Sequence, residues 1–420
     1  MPRSRHQTRA LVAALCGVVV HMYLDGYIFP EDQVYMDRDG NPIARSLFLG
    51  GVERPLIPAA RRDLGELWAT DPAAFRADYR FTFPEMQTIA VALPLPEVIH
   101  TRSRFRVAKQ DALAIYLHYM ASPTRLVCLV RYYAASMSRM SEIIREFGTL
   151  LFQATRRYMT FDGDYLQQRV PMYAAALRAH GCPYVRCWGF LDVTVQVCRK
   201  PVVHERQMYN AKGHAHGLKF QTVTVPDGMV DSVFGPRAGI VHDFSVLRES
   251  TIDRLQLPLL NDVLDLNHVA EDEVEAASGR PYILYADKAY IGLDYVAAPR
   301  RRNAVGMTAA EQNLGKIMSK KRVTVEWSYR MTRQQFAYLN FSHNIKVLLS
   351  PVGIHAYNCF FLINCFTAAR RGNQIYDYFE VEDEYDSESE EPEQLRPYLE
   401  PPTLQNYIRR VTRAEGAPLP

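Results

Sequence analysis

The chain is short of the features that would assign it quickly to a class. Its 420 residues hold 7 cysteines, an odd number scattered over a long chain, which argues against a disulfide framework and for a reducing compartment. Cys182 and Cys187 have four residues between them and no second pair at zinc-ribbon spacing, so they read as small buried side chains. Long apolar runs are also scarce. Ala10 to Val20, after Arg3, Arg5 and Arg9, imitates a signal peptide, but it is too short to span a bilayer and no small-residue cleavage pattern follows. No other segment stands out as a run of roughly 18 apolar residues, so the chain is expected to be soluble, with no membrane partner. Net charge is nearly absent, at +3. That balance hides a segregation: Glu380 to Glu393 holds nine acids and no base, which leaves the body with 49 basic against 37 acidic residues, or +12. A basic body with an acidic segment points to an anionic partner such as nucleic acid, and to a segment that competes for the same surface.

What is present is ordinary globular composition, 48% hydrophobic and 23% charged, with length for two or three domains. Residues 1–100 mix an arginine-rich start, turn residues (Asp37, Asp39, Gly40, Asn41, Pro42) and a helical reading near Pro72 to Leu93. Over 101–180, apolar residues recur at helical spacing in three segments: Leu113 to Met120, Leu126 to Val130, and Met140 to Leu151 after Ser136. Short connections, with Arg139 and Arg145 on the last segment, suit a helix-turn-helix that meets DNA; a plain helical subdomain is the other reading. After Cys182 the pattern turns to strands. Val185 to Val197 reads as one, Leu218 to Val225 and Met229 to Phe234 as a hairpin across Pro226-Asp227-Gly228, then Val241 to Leu255 as a helix and Tyr282 to Tyr285 as a strand. A polar loop with Arg300, Arg301 and Arg302, a helix over 309–349 and an apolar helix from Ile354 to Ala368 follow. The expected fold class is therefore α/β, an RNase H-like mixed sheet flanked by helices over 185–370, preceded by the helical domain. Residues 380–420, acidic and proline-rich, read as a disordered tail.

Two acids end apolar strand patterns: Asp192 follows Leu191 and Asp287 follows Ala286, and a carboxylate there is costly to bury unless a cation neutralises it. Glu326 interrupts the helical pattern Val323-Val325-Trp327. Three such acids brought together suit Mg2+ or Mn2+, and two ions about 4 Å apart would activate an attacking water and stabilise the leaving oxygen in phosphodiester transfer. Arg322, one turn before Glu326, is positioned for a phosphate or for the carboxylate. Lys212 beside Gly213, and Lys316, Lys320, Lys321, Arg330 and Arg333 around the third acid, read as DNA-backbone contacts or as solvated faces.

Five phrases in order carry a family likeness: Gly189-Phe190-Leu191-Asp192-Val193-Thr194, Tyr209-Asn210-Ala211-Lys212-Gly213-His214, Gly239 to Leu247 with His242-Asp243, Ala286-Asp287-Lys288-Ala289-Tyr290, and Arg322-Val323-Thr324-Val325-Glu326. Together they resemble the DDE nuclease domain of PIF/Harbinger-type transposases. The resemblance implies that Asp192, Asp287 and Glu326 are the metal-binding and catalytic acids, with 94 residues between the first two and 38 between the last two. It makes Asp243 a rival for the second metal position, although Asp243 also suits a helix N-cap. It further implies a nuclear protein acting on duplex DNA as a homo-oligomer, with a separate Myb-like DNA-binding protein as a partner in relatives. Two departures are visible. The family's Asp-Gly-Thr-His is Asp192-Val193-Thr194-Val195 here, and its Asp-x-Gly-Tyr is Asp287-Lys288-Ala289-Tyr290, where loss of the glycine bears on the turn.

Two other function classes compete. A domesticated DNA-binding protein would keep the fold and lose strand cleavage. A zinc hydrolase would gather His204, His214, His216, His242 and Asp243 into one site.

Overall fold

The computed structural model describes residues 63–122, 125–250, 252, 282–291, 293, 295–299, 308–342, 345–347, 349–380 and 399–419. The signal-peptide-like start, the Arg300 to Arg302 cluster and most of the acidic stretch lie outside them.

Three short helices open this part: α1 (Leu64–Thr70), α2 (Pro72–Tyr79) and α3 (Phe83–Ala92). The helical pattern near 72–93 is thus two helices, broken at Arg80, whose backbone is left-handed. Each start is fixed locally: the Asp71 carboxylate accepts from the first turn of α2, and Thr82 with Glu85 forms a capping box on α3. A two-stranded ribbon, β1 (Val98–His100) with β2 (Arg106–Ala108), leads into α4 (Lys109–Ala121), α5 (Leu126–Tyr133), α6 (Met137–Thr160) and α7 (Gly163–Ala179). Only Ala134 to Ser136 join α5 to α6, with Ala134 left-handed and the Ser136 hydroxyl accepting from the Arg139 N–H.

The sheet follows: β3 (Cys187–Val197), a short helix α8 (Glu205–Met208), β4 (Tyr209–Asn210), β5 (Ala215–Thr224), β6 (Val230–Ala238), helix α9 (Asp243–Glu249), β7 (Ile283–Ala286) and β8 (Val296–Ala297). Its order is β4-β5-β3-β7-β8, with β6 also beside β5. β3, β5 and β6 are antiparallel neighbours, whereas β7 runs parallel to β3 and β8 parallel to β7. At the β5–β6 hairpin Gly228 has φ +83° and the Asp227 carboxylate accepts from the Met229 N–H, so the turn needs its glycine. Gly239 is fixed by space, because a Cβ there would meet the Met208 carbonyl oxygen.

The chain ends in α10 (Ala309–Gln335), α11 (Val352–Ala369), α12 (Gln374–Phe379) and α13 (Leu404–Thr412). The helix expected to run to 349 stops at Gln335, where Arg80 donates to the Gln335 carbonyl at 2.8 Å and to the Ala121 carbonyl at the end of α4 at 2.9 Å. α11 corrects the expectation about long apolar runs. By length and composition it is able to cross a membrane, yet 78% of it is buried inside the fold. α13 corrects the disordered tail over its last part. Leu404, Tyr407, Ile408 and Val411 form one apolar stripe, buried against α3, α6 and α11. Its polar side is anchored as well: Arg413 makes two hydrogen bonds to Asp162, at 2.7 and 2.8 Å, and Arg410 lies 3.7 Å from Asp231 on β6.

Candidate active site

The regular register of β3 against β5 runs from Phe190↔Thr224 to Val197↔Gly217, and β3 against β7 includes Leu191↔Ala286. Residues directly opposite share a face, so Asp192, facing Thr222, points to the side from which Tyr329 of α10 reaches the Thr222 hydroxyl at 2.7 Å. Asp287 follows Ala286 on the neighbouring strand just as Asp192 follows Leu191. The two acids therefore emerge side by side where the β3–β7 pairing stops; Asp192 does not end its strand as expected, since β3 runs on to Val197 against β5, whereas Asp287 lies just past the end of β7. Asp192 is pushed up to about 6, chiefly by burial and further by Asp287, against the pull of Arg322, the Val193 N–H and Lys212. Asp287 accepts from the Lys288 N–H at 2.7 Å and lies 3.8 Å from Lys212 Nζ in the β4–β5 turn.

Above Asp192 stands α10, whose positions 322, 326, 329 and 333 follow one helical face. Arg322 bridges two acids, with Nη1 3.5 Å from Asp192 Oδ2 and Nη2 3.7 Å from Glu326 Oε1. The Glu326 side chain is 58% exposed. Among the described residues no three His, Cys, Asp or Glu side chains gather into a group able to hold a metal ion. Asp192 and Asp287 adjoin, while Glu326 is engaged by Arg322. The donor set nevertheless suits a hard divalent cation: all oxygen, two acids side by side, and one of them raised by burial, which a positive charge would relieve.

The histidines do not form a zinc site. His216 lies 3.7 Å from Glu205, His214 shares a hydrogen bond with Tyr209, and His242 precedes α9 without a side-chain cap bond. Asp243 is not the N-cap either; it is the first residue of α9, and its carboxylate accepts from Lys219 Nζ at 2.8 Å. Lys219 leaves β5 on the face opposite to Thr222, and its buried ammonium satisfies Asp243, whose charge Tyr290 feels together with those of Asp192 and Asp287.

Of the expected DNA contacts, Lys212 and Lys320 are exposed, while Arg139 and Arg145 are half-buried, with the Arg139 guanidinium over the Phe105 ring. Two basic residues are structural instead. Lys321 is buried and donates to the His180 carbonyl, and Arg333 donates to Thr194 Oγ1 and the Val195 carbonyl, both at 3.2 Å. Sequence reasoning missed Tyr329 and Thr222 at the rim of the site; the spacing of three residues from Glu326 was the available signal for the tyrosine. The missing glycine after Asp287 has no backbone cost, because Lys288–Tyr290 is a 3-10 turn in which Ala289 keeps a negative φ.

Compared with known families, residues 191–364 match the family described as DDE superfamily endonuclease. The match begins one residue before Asp192 and contains Asp287 and Glu326. Searches of curated proteins and of solved structures return no match.

Proposed function

We propose that the protein is a metal-dependent DNA endonuclease of the transposase kind, cutting and joining phosphodiester bonds with Asp192, Asp287 and Glu326 as its acids and Mg2+ or Mn2+ as its ions. The observation that carries the reading is the in-register pair: two aspartates on adjacent parallel strands, Asp192 within β3 and Asp287 just past the end of β7, under an arginine that already contacts the third acid. The strand order, three antiparallel strands followed by two parallel ones, supports the RNase H-like form of this fold. The α4–α5–α6 arrangement, with its three-residue connection, supports a helix-turn-helix. A PIF/Harbinger subtype, duplex DNA as substrate, a homo-oligomer on DNA, a Myb-like partner and nuclear location belong to the same reading.

The direct test is nicking of supercoiled plasmid in Mg2+ and Mn2+. Asp192→Ala, Asp287→Ala and Glu326→Ala are each expected to lower cleavage by orders of magnitude, with DNA affinity level or raised through reduced repulsion. One observation favours a second reading, a DNA-binding protein that has lost cleavage: Glu326 is solvent-facing and tied to Arg322 rather than gathered with the aspartates. Sequence-independent binding with no nicking in either metal would select it.

A further inference from the structure

Three arginines illustrate how differently this fold holds a guanidinium. Arg413 is 5% exposed and clamps Asp162 through two bonds of 2.7 and 2.8 Å, the spacing of charge-assisted hydrogen bonds. Arg333 is fixed to Thr194 and Val195 of β3. Arg322 is the exception. It stands 3.5 Å from Asp192 and 3.7 Å from Glu326, too far for close charge-assisted bonds to either, and its side chain is 24% exposed. It is held by charge rather than by directed bonds, at the mouth of the acid pair. Its anchor on α10 one turn before Glu326 keeps it near the site in any rotamer, and its long stem allows the head to swing outward.

We infer that Arg322 is an internal counter-cation that bridges Asp192 and Glu326 until a divalent metal displaces it, and that the displaced guanidinium then takes a phosphate oxygen of the DNA. The inference rests on the nuclease reading above. The physical sense is economical: two acids near a third would repel in the metal-free protein, and one arginine relieves that repulsion without a bond strong enough to exclude the ion. Lys212 is a different case, since it is 78% exposed and its ion pair is with Asp287, at 3.8 Å.

The test is Mn2+ binding to the full chain by calorimetry or by the loss of the free-ion paramagnetic signal, alongside plasmid nicking and DNA affinity. Arg322→Gln should bind Mn2+ about tenfold more tightly than the parent, because the competing cation is gone. The same variant should nick DNA more slowly even at saturating Mn2+, and its DNA affinity in Mn2+ should fall. Lys212→Gln, which also removes one positive charge, should change Mn2+ affinity by less than about threefold, as expected for an exposed charge. Unchanged or weaker Mn2+ binding by Arg322→Gln, with a parent that binds Mn2+ and nicks, overturns the displacement and leaves the nuclease reading standing. No Mn2+ binding by either protein overturns both. Should the glutamine variant not fold, Arg322→Lys keeps the charge but cannot reach two carboxylates in one fork, and binding equal to or weaker than the parent's overturns the inference as well.

Discussion

Lys219 carries more of the local energetics than its neighbours suggest. Its ammonium is 8% exposed and is held by two oxygens, the Asp243 carboxylate at 2.8 Å and the Val241 carbonyl at 2.6 Å. Removing Asp243 leaves a buried charge with one neutral partner, which is more damaging than the loss of a helix cap. Asp243→Ala is therefore expected to lower stability by about 2–4 kcal/mol in denaturant unfolding, where a lost cap would cost about 1 kcal/mol. The folded fraction should still nick plasmid, because the carboxylate is already engaged by Lys219. Loss of cleavage in a fully folded Asp243→Ala protein would return this residue to the metal site.

The elements differ in how far the sequence announces them. β3 and β7 were legible because an apolar run ending in an acid is rare and has a physical cost, and the β5–β6 hairpin because Pro226-Asp227-Gly228 leaves few turn types open. The end of α10 was not legible. No glycine or proline marks Gln335, and the stop is supplied by Arg80, far earlier in the chain. The rim formed by Tyr329 and Thr222 depends on how α10 crosses the sheet, which no local pattern encodes. α13 was missed for another reason: acid and proline content outweighed a plain i, i+3, i+4, i+7 stripe at Leu404, Tyr407, Ile408 and Val411. This changes how the acidic stretch is to be tested. Truncation after Phe379 removes a buried helix and should unfold the protein or lower its melting temperature sharply. Replacing the nine acids from Glu380 to Glu393 with their amides should leave the melt unchanged and tighten duplex binding at low salt, an effect that fades as salt rises. Unchanged affinity at low salt would show that the stretch does not compete with DNA.

Across the whole molecule, two buried groups are expected to shape stability against pH from opposite sides. His355 of α11 shares a 3.0 Å hydrogen bond with Tyr116 of α4, and burial pushes it down to about 3. Between pH 6.5 and 3 the unfolded chain takes up a proton that the folded chain refuses, so stability falls as pH drops through this window, by about 4–5 kcal/mol at its end. Asp231 behaves oppositely: burial pushes it up to about 7 against the pull of Arg410. The folded state keeps that proton while the unfolded chain releases it near 3.8, so stability declines as pH rises from there towards 7. Thermal melts from pH 4 to 9 should show His355→Gln flattening the acid limb and Asp231→Asn the other. Identical pH profiles in parent and variants would remove both assignments.

The contact between His355 and Tyr116 belongs to a larger seam. Asn358 of α11 donates to the Tyr116 hydroxyl and to the Gly148 carbonyl of α6, and Asn364 meets both Val230 of β6 and Tyr407 of α13. One apolar helix thus carries polar side chains that each need a specific acceptor or donor in the helical layer, the sheet or both, and an orphaned buried amide costs about 1–3 kcal/mol. The consequence is evolutionary. A lineage of this protein cannot freely exchange its helical layer by swapping in residues 101–180 from a distant relative, since a transplant lacking Tyr116 would leave Asn358 and His355 without the partner they share. Change in that layer is left to its exposed side chains, one at a time, on an inherited scaffold.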